Sequence, residues 1–415
     1  MSRVGVVGAG YVGITTAACL AHLGHSVVCA DIDANRVERL TKGDVPILEE
    51  GLPELVRAGL TSGLLTFEVG AVAAARDEEF VFLCVPTPHG DEGAVDLTVV
   101  DAVTREIAPS LRSGAVVVNK STMPVGSTRR VERLLREAGA PADVHVVSNP
   151  EFLREGTAVA DFLHPHRVVV GADDPAVAVR VFELYKGVQA PVVVTDAASA
   201  EVIKYASNAF LATKVSFVNA IANLCESVNA DVRNVALGMG YDPRIGFEFL
   251  QPGPGWGGSC FPKDTAALLH ASRAAGVDFS LLAGAIEVNA VQQERMVDKV
   301  RDAYGGPLAG AHIAAWGLTF KANTDDLRDS PAIAIADRLV RAGAEVRAYD
   351  PAVSDAMQAG LPGLQIVADA YEACAGAPTS CWARACWVSS AAGSCPTSSP
   401  SAAAMVPATS PSVRR

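Results

Sequence analysis

The sequence predicts an α/β protein with two Rossmann-like, doubly wound parallel-sheet domains joined by a long central helix and a helical dimerisation domain. Three observations carry that reading. Short apolar runs alternate with helical segments from the N-terminus onward, as strands buried on both faces require. A stretch from Ala197 to Asn229 holds good helix formers with no Pro or Gly, longer than an ordinary globular helix. After the break at Gly305, Gly306 and Pro307 the opening spacing returns, because Gly343 to Asp350 (GAEVRAYD) matches Gly24 to Asp31 (GHSVVCAD).

At 415 residues the chain exceeds what one core supports. Boundaries are expected at 1–196, 197–304 and 305–377, with 378–415 as an atypical tail. Val4 to Val7 reads as a strand, Gly8 to Gly13 as a turn, Tyr11 to Leu23 as a helix ending at Gly24, and Ser26 to Ala30 as a strand closed by Asp31. Further strands are expected at Phe80 to Val85, Ala115 to Asn119, Val144 to Ser148 and Arg167 to Gly171. Helices are expected from Lys263 to Ala275 and from Ser280 to Tyr304, then a strand from His312 to Trp316. The third region lacks GxGxxG and carries GLTFKANTDDLR at 317–328, so it is expected to bind something other than an adenine dinucleotide.

The tail breaks the pattern. After Glu372 there is no Asp, Glu or Lys, and four of the nine cysteines appear. A low-complexity disordered tail is one reading. A frameshift is favoured, since GC-rich codons assumed for Pro378 to Ala383, read one base out of phase, spell an Asp-Val-Leu-Leu-Gly strand.

Composition narrows the function. Half the residues are hydrophobic and only 6% aromatic, which suits stacked α/β layers. A net charge of −12 argues against nucleic acid or an anionic membrane as partner and leaves room for a small anion held by local Arg and Lys. The apolar run from Val4 to Ala21 is interrupted by glycines and preceded only by Arg3, so no signal peptide is expected. Nine scattered cysteines point to reduced thiols in the cytoplasm. Neither C-x-x-C nor H-E-x-x-H occurs, so no metal site is expected.

The chemistry-bearing residues fall into five groups. Gly8, Gly10 and Gly13 form GxGxxG between a strand and a helix, the arrangement that lets a pyrophosphate approach a helix N-terminus. Asp31 after the second strand suits ribose hydroxyls and repels a 2′-phosphate, favouring NAD over NADP; Arg36 nearby is the opposing signal, though an Arg can also cover the adenine face. Cys260 lies in GGSCFPKD, a loop context unlike that of an inert core cysteine, and a thiolate there eases aldehyde oxidation through a thiohemiacetal. Lys204 and Asn208 sit at i and i+4 of the long helix and converge as oxyanion donors, against the plainer reading of a solvated face. NPEFLREG (149–156) sets Glu151 and Glu155 just past a strand end, where helix-start acids are often only dipole partners; the hydroxyls of KSTMPVGST (120–128) are read equally as caps.

Together GAGYVG, CVPTP (84–88), STMPVGST, NPEFLREG, the Lys204 to Asn208 segment and GGSCFPKD resemble the nucleotide-sugar dehydrogenases, over about residues 1–375. The stretch 149–171 looks like the branch acting on UDP-glucose. The resemblance implies a four-electron oxidation of UDP-glucose to UDP-glucuronate with two NAD in succession, in a homodimer. By motif position Cys260 is the nucleophile, Lys204 and Asn208 hold the oxyanions, Asp264 orients Lys204 or water, and Thr122 and Glu151 handle protons and the hydrolytic water. Tyr11, Val12, Thr87, Thr122, Glu155, Lys263 and Arg328 map near NAD beside the glycines, Asp31 and Arg36. The sugar nucleotide is expected on Glu151, Phe152, Leu153, Arg154, Lys204, Asn208, Phe249, Leu250, Gly253, Gly257 and Lys321, with Arg244 supplied by a second subunit. Family members continue the last domain with an Arg-bearing motif that has no counterpart after Ala377. The alternatives are a dehydrogenase of UDP-N-acetylmannosamine or GDP-mannose, or a protein that binds NAD and a UDP-sugar but is inactive because of the tail.

Overall fold

The structure is a computed structural model describing residues 1–90, 93–353, 360–361 and 363–377. The tail from 378 onward, and the frameshift expected in it, lie outside the described residues. Contacts divide the chain into two compact units, one formed by 1–218, 236–250 and 259–287, the other by 219–235, 251–258 and the residues from 288 onward.

The strands are β1 Arg3–Val7, β2 Ser26–Asp31, β3 Leu65–Val69, β4 Phe80–Leu83, β5 Val116–Asn119, β6 His145–Ser148, β7 Val168–Gly171, β8 Val192–Thr195, β9 His312–Trp316, β10 Glu345–Tyr349 and β11 Leu364–Ile366. The principal helices are α1 Tyr11–His22, α2 Ala34–Thr41, α3 Leu52–Ser62, α4 Thr98–Ile107, α5 Ser127–Glu137, α6 Ala158–Leu163, α7 Pro175–Phe182, α8 Ala197–Val228, α9 Val232–Gly240, α10 Phe261–Ala274, α11 Ser280–Tyr304 and α12 Pro331–Arg341.

In the first unit eight strands form one sheet in the order β3-β2-β1-β4-β5-β6-β7-β8. The strand order reverses beside β1, the switch point that opens a ligand crevice at the carboxyl ends of the strands. Alternate residues feed opposite faces. Val4, Val6, Val116 and Val118 pack into one apolar cluster with α1 and α7, while Val7 and Val117 pack into the other with α4 and α5. Burying each such side chain contributes roughly 1.5–3 kcal/mol, which is why these runs read as continuously apolar.

The sheet departs from the expected all-parallel pattern at one place. β6 and β7 pair antiparallel through Ser148 and Gly171, so β7 and β8 form a reversed pair at the edge. The segment between β6 and β7, residues 149–167, is irregular apart from the six-residue α6. β3 and β8 were not foreseen; each is an edge strand with exposed positions and lacks the solid apolar run of the interior strands. Predicted ends otherwise shift by one or two residues, as fraying termini do.

The second unit carries the three-stranded parallel sheet β11-β10-β9. Val297, Leu308, Ile313, Leu339 and Val346 form its main core. The sequence echo has a structural counterpart. The Asp350 carboxylate accepts the Leu318 and Thr319 N–H groups, as the Asp31 carboxylate accepts the Ala9 N–H at 2.8 Å. An acid closing the second strand thus pins the first turn in both sheets.

Candidate active site

The dinucleotide turn is shaped by what glycine lacks. A Cβ on Gly13 would stand 1.7 Å from the Gly8 carbonyl oxygen, and one on Gly8 2.6 Å from the Cys84 carbonyl oxygen, whereas a Cβ on Gly10 would meet no heavy atom within 4 Å. Gly8 and Gly13 are therefore needed by the protein itself, and Gly10 keeps space open in front of α1. Gly10 is the N-cap of α1 and offers no side-chain cap, so the helix-start N–H groups are directed at that space. Arg36 reaches Asp31 at 3.2 Å. A cradle left open by one glycine, an uncapped helix start and an acid with an adjoining guanidinium fit NAD. Val12 packs against the core below.

Four segments converge beyond the strand ends. β4 leads to Thr87, β5 to Thr122, β6 to Glu151, and α8 brings Lys204 and Asn208. The Thr87 hydroxyl donates to the Thr122 carbonyl at 2.9 Å. Thr122, Pro150 and Lys204 line one small cavity with Asn119, Ser121 and Glu201. Lys204 Nζ donates to Glu151 Oε1 at 2.9 Å, both side chains being buried. Burial opposes the Lys204 ammonium, but Glu151, Cys260 and Asp264 outweigh it and its pKa stands above the ordinary lysine value. Burial likewise raises Glu151, and Lys204, the Leu153 N–H and Lys120 overcome it, leaving the carboxyl below its usual range.

Cys260 is the N-cap of α10, so its thiol stands at a helix start rather than inside a packed element. Burial pushes the thiol up, Lys204 offsets only part of that, and Glu151 and Asp264 add to it, so its pKa stands above the ordinary cysteine value. By contrast Cys19 and Cys84 lie in the core, their thiols pushed up to about 12 by burial. Ser259 Oγ lies 3.6 Å from Cys260 Sγ and donates to Glu155 Oε1 at 3.0 Å. One turn into α10, Asp264 accepts from Asn208 Nδ2 and from Lys263 Nζ. Asp264 holds Asn208 and Lys263 and also acts electrostatically on Lys204, whose hydrogen-bonded partner is Glu151. Glu151 and Glu155 are not on a helix, because Pro150 and the left-handed Gly156 keep 149–157 irregular until α6 begins.

The other expected binding residues are spread over both units. Phe152 stacks under the Arg167 guanidinium at 3.4 Å, with Lys204 Nζ 5.5 Å from the ring. Leu153 packs on the core and Arg154 pairs with Asp161. Phe249 has a left-handed backbone and faces Phe261, and Leu250 is buried. Arg244 is exposed and pairs with Asp242. Gly253, Gly257, Lys321 and Arg328 belong to the second unit. There Gly253 N–H meets Asn219, a Cβ on Gly257 would stand 1.9 Å from the Asp329 carbonyl oxygen, and Arg328 pairs with Asp326.

Among the described residues, two buried acids that hold the segments of the site were missed. Glu201, one helical turn before Lys204, accepts from Gly126 N–H, Thr128 N–H and the Thr128 hydroxyl, and so fastens the Thr122 loop to α8. Its i, i+3 spacing from Lys204 was a usable signal. Glu49 accepts from the Tyr11 hydroxyl and from the Gly156 and Ala158 N–H groups. It ties the dinucleotide turn to the segment bearing Glu155. No local pattern announces a contact more than one hundred residues away.

Among the described residues no group of three or more His, Cys, Asp and Glu is placed to hold a metal, and no helix is long and apolar enough to cross a membrane.

Comparison with known proteins accords with this geometry. Residues 2–189 match the NAD binding domain of the UDP-glucose/GDP-mannose dehydrogenase family, 198–291 its central domain, and 314–385 its UDP binding domain. The chain is 47% identical over 380 residues to UDP-glucose 6-dehydrogenase of Rhizobium meliloti, covering 90% of this chain and 87% of that one. It is 47% identical over 356 residues to the UDP-glucose 6-dehydrogenase YwqF of Bacillus subtilis, covering 85% and 81%. Its fold matches a UDP-glucose dehydrogenase from Pyrobaculum islandicum with a TM-score of 0.88 and 37% identity, covering 91% and 88%. A glycine-shaped dinucleotide cradle, a cysteine at a helix start beside a buried Lys, and three successive domain matches place this chain in the UDP-glucose/GDP-mannose dehydrogenase family.

Proposed function

We propose that this chain oxidises UDP-glucose to UDP-glucuronate with two NAD, through a covalent bond to Cys260. The observation that carries the reading is the meeting of Cys260, Lys204, Asn208 and Asp264 at the start of α10. An alcohol oxidation alone has no use for a thiol so placed.

NAD, when bound, accepts the hydride in each of the two oxidations. The glycine turn and α1 bind its pyrophosphate, and Asp31 its ribose, with Tyr11, Thr87, Glu155, Lys263 and Arg328 as further contacts. Lys204 and the Asn208 amide hold the developing alkoxide and later the tetrahedral oxyanion, a contribution of the kind oxyanion donors make. Cys260 adds to the aldehyde carbon to give a thiohemiacetal, and the second oxidation leaves a thioester. Glu151 and Thr122 hold the water that hydrolyses it, and the Glu151–Lys204 pair supplies charges of both signs without solvent. Phe152, Leu153, Arg154, Phe249, Leu250, Gly253, Gly257 and Lys321 bind the sugar nucleotide.

The working form is a homodimer in the cytoplasm. The apolar side chains of Phe210, Phe217 and Leu224 recur every seven residues along α8 and are all exposed, a stripe suited to a second copy. Arg244, exposed on the loop after α9, is the residue assigned to the partner's site. The functional division is a dinucleotide region at 1–196, a helical region carrying the cysteine at 197–304, and a UDP-sugar region from 305.

The test is stoichiometric: UDP-glucose, UDP-N-acetylmannosamine and GDP-mannose are each assayed to completion with excess NAD. Two NADH per UDP-glucose, and negligible turnover of the other two, is the expected result. A preference for another sugar reassigns the substrate, and no NADH from any of them leaves a binding protein.

A further inference from the structure

The proposed oxidation leaves one step without an agent. The Cys260 thiol must lose its proton before sulfur can attack, and Lys204, raised and ion-paired to Glu151, is a cation with no vacancy for that proton. Both carboxylate oxygens of Asp264 are already engaged, one by Asn208 and one by Lys263.

The hydroxyl of Ser259 has the right contacts. It donates to Glu155 Oε1 at 3.0 Å, which leaves its lone pairs to accept from the thiol 3.6 Å away. Gly258, just before Ser259, takes the left-handed φ of +81 that favours glycine. Glu155 is held in turn, since the next residue, Gly156, gives its N–H to the buried Glu49, as does Ala158. The sequence marked Glu155 for the dinucleotide; the structure sets it one hydroxyl away from the thiol.

We propose that Ser259 and Glu155 form a proton relay that generates the Cys260 thiolate. This rests on the oxidation assigned to the chain under its proposed function. The Cys260 S–H bond breaks and its proton passes to Ser259 Oγ, while the Ser259 O–H proton passes to Glu155 Oε1. The electron pair left on sulfur forms the C–S bond to the aldehyde carbon, and the carbonyl π pair moves to oxygen beside Lys204 and Asn208. Ser259 ends as it began, and Glu155 holds the proton. The aldehyde is the product of the first oxidation, so no outside reagent is required.

The charged groups around the sulfur include Lys204 from α8, Glu151 from the segment after β6, Asp264 from α10 with Lys263 on its other oxygen, and Glu155 through the Ser259 hydroxyl. Of these only Glu155 connects to the sulfur through a hydroxyl. The relay predicts that Ser259→Ala slows turnover by roughly 10²-fold, within the range of general acid–base steps, with KM for UDP-glucose and NAD changed less than about twofold. Ser259→Thr, which keeps the hydroxyl, restores most of it.

The decisive measurement is the pH profile of iodoacetamide alkylation of Cys260 in the full-length protein without substrate, read by peptide mass. Because it reads the thiol alone, it separates failure of the relay from failure of the assigned reaction. The midpoint moves to higher pH in Ser259→Ala and in Glu155→Gln, and the double variant moves no further than either single one. A Ser259→Ala profile that superimposes on the wild type, or single shifts that add in the double variant, overturns the relay.

Discussion

Lys204 and Glu151 sit 3% and 6% exposed, and neither charge is tolerable there without the other. Glu151 has a folded pKa below its unfolded value, so its contribution is present above about pH 4.3 and is lost as pH falls through the folded pKa. Lys204 has a folded pKa above its unfolded value, so its contribution is full below about pH 10.4 and is lost as pH rises through the folded pKa. Lys204→Met should therefore cost about 3–5 kcal/mol near pH 7 by stranding the carboxylate, and clearly less near pH 4, where Glu151 of the variant, buried and no longer held down by Lys204, takes up a proton. Denaturant unfolding at the two pH values checks this, and an equal loss at both would assign the effect to packing.

At the level of elements, the site is built from the loops leaving the strand ends and from the starts of two helices. The turn from β1 to α1 gives a clean separation of folding from binding. Gly10→Ala adds a methyl that meets no protein atom but would intrude on the space proposed for the pyrophosphate; Gly13→Ala drives a methyl into the Gly8 carbonyl. Gly10→Ala should keep the wild-type Tm and raise KM for NAD by at least about tenfold, the factor that ~1.4 kcal/mol represents. Gly13→Ala should lose about 1–3 kcal/mol or more of stability as well, as overpacking does. Thermal melts beside NAD titrations distinguish them. If both variants melt together, the cradle is not shaped as described.

Much of this was legible because the signals were local. GxGxxG must stand between a strand and a helix, a cysteine amid Gly, Pro and charge belongs to a loop, and i, i+4 spacing sets Lys204 and Asn208 on one face. The failures share a cause. Partners of Lys204 and Asp264 come from segments 53 and 56 residues away, and the carboxylate of Glu49 reaches across 107. Spacing in sequence carries no information about such pairings, since they are fixed by how the sheet stacks its strand ends. The antiparallel β6–β7 pair was hidden for a similar reason, because an interior strand is apolar in either direction.

For the whole molecule, the exposed stripe on α8 sets the assembly prediction. Phe210→Glu with Phe217→Glu should convert a dimer to monomer in sedimentation velocity without changing the far-UV spectrum, and a wild-type monomer at micromolar concentration would remove the homodimer.

The central claim is that the sulfur of Cys260 carries the second oxidation. It is tested by counting NADH and UDP-glucuronate formed per UDP-glucose by Cys260→Ser beside the wild type. The wild type should give two NADH and one uronate, and the variant should stall at the aldehyde level or as a covalent species with no free uronate. Two NADH and full uronate from Cys260→Ser would contradict it.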